Sequence, residues 1–167
     1  MTASDTLDLL ATEHAAVAAL LDDLSPEARA WRPAEDAWSA ADVLEHLVKT
    51  ERGMAMVLAT QIAAGDDRRD VGTPSPEAFA LLSGFLRSDR KTRVPAAATR
   101  FVAPTGEPYD ALRAEWDTLL GLWREAFQSL PPDLHEVGLV KHPRAGALTA
   151  RGAAHFAADH AHHHARQ

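Results

Sequence analysis

The fold of this chain is decided by residues 38–47, WSAADVLEHL, where a helix start can be read position by position. Ser39 can cap the first turn, Asp42 can return its carboxylate to the cap amide, and Trp38 can pack on Val43 as a hydrophobic staple. The helix that begins there runs to about Ala64, with Val43, Leu47, Thr50, Met54, Val57 or Leu58, and Ile62 expected on its inward stripe. Upstream, Leu7, Leu10, Val17, Leu21 and Leu24 recur at three- and four-residue steps and define a first helix from Ser4 to Leu24. Ser25-Pro26-Glu27 reads as a cap with proline in the first turn, so a short helical turn precedes Trp31 and Pro33.

Downstream, Gly65 through Pro108 carries charges, glycine and proline, with one short helical patch from Glu77 to Leu86. Adjacent antiparallel helices need only roughly 2–8 linking residues, so this stretch is expected to be a crossover running the length of the molecule. A third helix spans Tyr109 to Leu130, with Leu112, Trp116, Leu119, Leu120, Trp123 and Phe127 on one side, and Pro131-Pro132 ends it. After a polar link through His142-Pro143 and Gly146, a last helix runs from near Thr149 to the C-terminus. Four long helices and no convincing strand pair predict an all-α four-helix bundle, one domain over residues 1–167.

The composition narrows the function classes. With 17 basic and 24 acidic residues among 167, the formal charge of −7 repels a phosphate backbone and argues against nucleic-acid binding. The absence of cysteine removes thiolate nucleophiles and Cys-type zinc sites, so any metal must be held by histidines and carboxylates. The N-terminus has no basic region followed by an apolar one, and no stretch approaches the ~20 apolar residues that span a bilayer. The chain is therefore expected to be cytoplasmic, with no membrane partner.

The last helix holds His155, His160, His162, His163 and His164. A four-residue step advances about 40° beyond a full turn, so residues four apart share a face. Gly152, Phe156, His160 and His164 form one stripe, and Phe156 turns it toward the core. Arg151, His155, Asp159, His162 and Arg166 form a polar stripe, which is expected to face solvent. Two imidazoles at i and i+4 can converge on one ion. The third ligand would be His46, because an antiparallel neighbour brings the start of the second helix beside the end of the last. Taken alone, a His-rich tail is more often solvated than ligating. His14 lies on the apolar stripe of the first helix, where a lone histidine is more often hydrogen-bonded in the core, and it is kept as a pocket residue. His163, about 60° from His160, is a candidate for supporting the ligands, whereas Glu45 and Glu51 fall off the stripe and are expected to be solvated.

The segment WSAADVLEHL resembles the WSxxxVxxHL helix start of the DinB/YfiT-like metalloenzyme family, and HPRAGALTARGAAHFAADHAHHHARQ, residues 142–167, is similar to the family's closing HP…G.L…H..HH..Q pattern. RFVAPTGEP, residues 100–108, looks like the family's approach to its third helix. The resemblance implies an up-down-down-up bundle with a long crossover between helices two and three. It also implies that His46, His160 and His164 hold a divalent ion, zinc first, with nickel or iron as alternatives. His164 sits in a last turn liable to fray, which a metal ion or a homodimer contact would order.

Three histidines leave coordination positions open, the mark of a catalytic metal. The expected chemistry is metal-dependent hydrolysis or thiol transfer on a small molecule, with a low-molecular-weight thiol as co-substrate, and no general base can be named. The competing expectation is a non-enzymatic metal-binding or stress-response protein.

Overall fold

Ser39 caps the helix that residues 38–47 begin: its Oγ accepts from Asp42 N at 3.2 Å, and Ser39 N donates to Asp42 Oδ2 at 2.8 Å. The structure is a computed structural model that describes residues 2–90, 99 and 102–167. Arg100 and Phe101 of the RFVAPTGEP motif, and residues 91–98 of the expected crossover, lie outside the described residues. The described helices are α1 (Ala3–Asp22), α2 (Pro26–Ala30), α3 (Ala40–Ala63), α4 (Pro76–Leu86), α5 (Tyr109–Gln128) and α6 (Ala150–Ala165), and the protein is mostly helical. Their starts follow the same local chemistry, with Ser25, Ser75 and Thr149 each accepting from the amide three residues on, and Pro26 and Pro76 in the first turn.

The core forms two apolar clusters. Leu21 from the end of α1, Leu44 and Leu47 from the start of α3, Leu112 and Trp116 from the start of α5, and Ala161 near the end of α6 share one. The second gathers Leu10, Leu58, Trp123, Leu134, Leu139 and Phe156 with a run of α6 alanines. α1 packs on α5 and α6, and α3 packs on the same two helices.

Three expectations need correction. First, the link before α6 contains a strand pair: β1 (Val140–His142) and β2 (Gly146–Leu148) run antiparallel, with His142 opposite Gly146. Pro143, Arg144 and Ala145 make the turn, and Gly146 takes φ +71°, the left-handed residue that closes three-residue hairpin loops. Second, the buried stripe of α3 is Leu44, Val48, Glu51, Ala55 and Leu58, about one residue around the helix from the expected one. Leu47 and Leu58, the second of the alternatives at its turn, are buried as expected, but Val57 is 45% exposed. Third, the polar stripe of α6 faces water only at its ends, where the Arg151 and Arg166 side chains are 41% and 43% exposed, and its middle is covered. Asp159 is fully buried, accepting from Ser83 Oγ of α4 and from Nε of Arg87, the residue that caps α4, at 2.6 Å each. His155 packs edge-on against Phe79, and His162 Nδ1 lies 3.2 Å from Glu13 Oε2 of α1. α6 packs on α1, α3 and α4, and the last of these covers the middle of that stripe.

Among the described residues, no helix is long and apolar enough to cross a membrane.

Candidate metal site

His46 sits in the second turn of α3, 3% exposed, and its Nδ1–H donates to Val102 O at 2.9 Å. That bond leaves Nε2 as the lone-pair nitrogen and aims it across to α6. His160 Nε2 lies 3.1 Å from His46 Nε2 and 3.1 Å from His164 Nε2. His164 Nδ1–H donates to Gln167 Oε1 at 2.7 Å, which fixes its tautomer in the same sense. One nitrogen from each of the three side chains falls within 4.8 Å of the others, a group that can hold a metal ion.

The two 3.1 Å spacings fit such an ion. Imidazole nitrogens about 2.05 Å from zinc at the tetrahedral angle stand roughly 3.3 Å apart. Ligation also needs neutral imidazoles, and burial supplies them. It pushes His46 below its ordinary 6.5 against the opposing pull of the Val102 bond. Burial, with the charges of His164 and His46 behind it, takes His160 well below that value. Burial and then the His46 charge lower His164 to about 3.

The surroundings hold these rings in place. Phe156 stacks on His160 with centroids 5.1 Å apart, and Trp38 lies tilted against His46 at 4.9 Å. Glu45, 1% exposed, accepts from Thr105 N (2.6 Å), Thr105 Oγ1 (2.8 Å), Gly106 N (2.9 Å) and Glu107 N (3.1 Å), and from Lys49 Nζ at 2.5 Å. Burial raises its pKa, but these donors more than offset that and bring it to about 2. Glu45 is thus a buried clamp, not the solvated side chain expected, and it anchors the segment that carries Val102. The C-terminal turn is tied down as well: Arg166 pairs with Asp89 and donates to Arg87 O at 3.2 Å. The three histidines open onto a cavity of about 2150 Å³.

The sequence pattern of the DinB superfamily matches residues 9–167. The chain belongs to the DinB superfamily. No match was found among curated proteins or solved structures.

The other candidate residues of this DinB-superfamily chain divide. His163 lines the cavity and donates Nδ1–H to Leu86 O at 3.0 Å, so it braces α6 against α4 beside the three converging histidines. His14 is elsewhere: it is 7% exposed in the core, its Nε2 2.9 Å from Glu51 Oε2 and its ring stacked on Trp116 at 4.0 Å. Glu51, expected to be solvated, is 3% exposed and also accepts from Trp123 Nε1 at 2.9 Å. One cavity residue had no assigned role in the sequence. His142 Nδ1 accepts from Arg144 N and Ala145 N at 3.2 Å each, which leaves Nε2–H as its donor. Burial, then the Arg144 charge, lower it to about 4. The signal was the His-Pro pair itself, since proline sets the hairpin turn that folds those amides back onto the ring.

Proposed function

We propose that this chain is a divalent-metal-dependent enzyme acting on a small molecule, by hydrolysis or by transfer to a low-molecular-weight thiol, with His46, His160 and His164 holding the ion. The observation that carries the reading is the convergence of three imidazole nitrogens on the wall of a large cavity, with no fourth His, Asp or Glu in the group among the described residues. Three protein ligands and an open position are what catalytic zinc sites share, while structural sites are closed by a fourth. Zinc is the first choice of ion; nickel and iron suit imidazole too. A divalent ion in this donor set supplies Lewis acidity, acidifying water or a thiol and polarising a carbonyl.

The chain's own residues then do the positioning. Val102 O and Gln167 Oε1 hold the tautomers of His46 and His164, Phe156 backs His160, and Glu45 keeps the Val102 segment seated. The reading takes α1, α3, α5 and α6 as an up-down-down-up bundle, supported by the cluster in which the ends of α1 and α6 meet the starts of α3 and α5.

The test is metal content of tag-free protein after supplementation with zinc, nickel or iron. One ion per chain is expected in the wild type and loss of at least tenfold in affinity in His46→Ala and His160→Ala. Persistent substoichiometric metal, or full binding by both variants, would defeat the reading.

A further inference from the structure

Val43, Met54 and Val57 of α3 were expected on its core stripe, yet they are only partly buried or exposed and line the cavity. From His46 to Val57 the helix rises about 16 Å. Leu82 and Phe85 of α4 line the same cavity. A continuous apolar surface next to a polar anchoring point is characteristic of a ligand site and not of a solvated surface. The two cations of α3 are paired, Lys49 with Glu45 at 2.5 Å and Arg52 with Glu115 at 2.9 Å, so this helix offers no free cation to a charged tail.

We infer that the site takes a linear amphipathic substrate, its polar head at the three-histidine face, its apolar chain along the outer stripe of α3. This rests on the three-histidine metal reading and adds the substrate class to it.

The experiment is calorimetric titration of the zinc-loaded full chain with acetohydroxamate, hexanohydroxamate and octanohydroxamate, which share a zinc-chelating head and differ in chain length. Burial of a methylene contributes roughly 0.8 kcal/mol, about fourfold in affinity. An increase of at least tenfold from acetohydroxamate to octanohydroxamate is expected. Val57→Glu, at a position already 45% exposed and so compatible with folding, should flatten that increase. His160→Ala should abolish octanohydroxamate binding. If zinc does not load, the metal reading falls and takes this inference with it. If zinc loads and acetohydroxamate binds, but octanohydroxamate binds no more tightly, the amphipathic substrate alone is overturned. Undiminished octanohydroxamate binding by His160→Ala would likewise overturn it, since the chain would then dock without its head.

Discussion

Glu51 is a carboxylate placed where α1, α3 and α5 meet, and its partners explain why it is there. Its two oxygens accept from Trp123 Nε1 and face His14 Nε2, while Trp116 Nε1 reaches His14 O at 3.3 Å. The group joins the two apolar clusters, one holding Trp116 and the other Trp123. Removing the carboxylate leaves two buried donors unpaired. Glu51→Ala is expected to cost about 3 kcal/mol, read by urea unfolding, and Glu51→Gln less, because its amide oxygen still accepts from Trp123. An equal, small cost for both would show that the network carries little stability. The sequence held the signal for this residue: Leu44, Val48, Glu51, Ala55 and Leu58 fall at helical steps, with the carboxylate in the middle. A stripe drawn instead through Val43, Leu47 and Met54 is equally apolar, and periodicity alone could not choose between the core face and the cavity face.

At the scale of elements, the start of α3 was legible because a capping box is local chemistry, written in residues three apart. The same holds for the Ser75-Pro76 and Thr149 starts. The packing of α6 was not. Its alanines at 150, 153, 154, 157, 158 and 161 are all buried, so hydrophobic contrast around the helix is weak and the polar stripe looked like a solvent face. Only contacts distant in sequence reveal that α4 covers it. Asp159 is the fastening point, bonded to Ser83 and Arg87 and within 3.5 Å of His155 Nε2. Asp159→Ala should leave those partners without their acceptor at a site closed to water, and α4 should separate locally before the rest of the molecule unfolds. Hydrogen exchange provides the check: amides of residues 76–86 should exchange at least tenfold faster, while those of α1 and α5 keep their protection. Uniform acceleration across all helices would indicate a global loss of stability instead.

For the whole molecule, the three-histidine face reports assembly, since His46 comes from α3, His160 and His164 from α6, and their supports from the Val102 segment and Gln167. The His residues could be sorted by spacing, but their supports could not, because a backbone carbonyl such as Val102 O has no mark in sequence. The same burial that keeps these rings neutral makes the metal-free protein sensitive to acid. Each imidazole has a folded-state pKa below its ordinary 6.5, about 4 for His142 and about 3 for His164. Between those values and 6.5 the unfolded chain binds protons that the folded chain does not, so stability rises with pH and falls as the solution is acidified. Glu45 acts in the same direction lower down: its folded value is about 2, so its contribution is present above its ordinary 4.5 and lost as pH falls through 2. Each imidazole held neutral in this way can contribute at most about 1.4 kcal/mol per pH unit. Unfolding free energy measured with a chelator at pH 7.5, 6.0 and 5.0 should therefore be level above about pH 7 and decline by about 1 kcal/mol per unit or more below 6.5. His142→Gln, which keeps a donor in the cavity but cannot titrate, should make that decline shallower by close to one proton. A flat profile from pH 7.5 to 5.0 would mean that the imidazoles titrate in the folded protein as they do in an open chain, and that their burial does not hold them neutral for a metal.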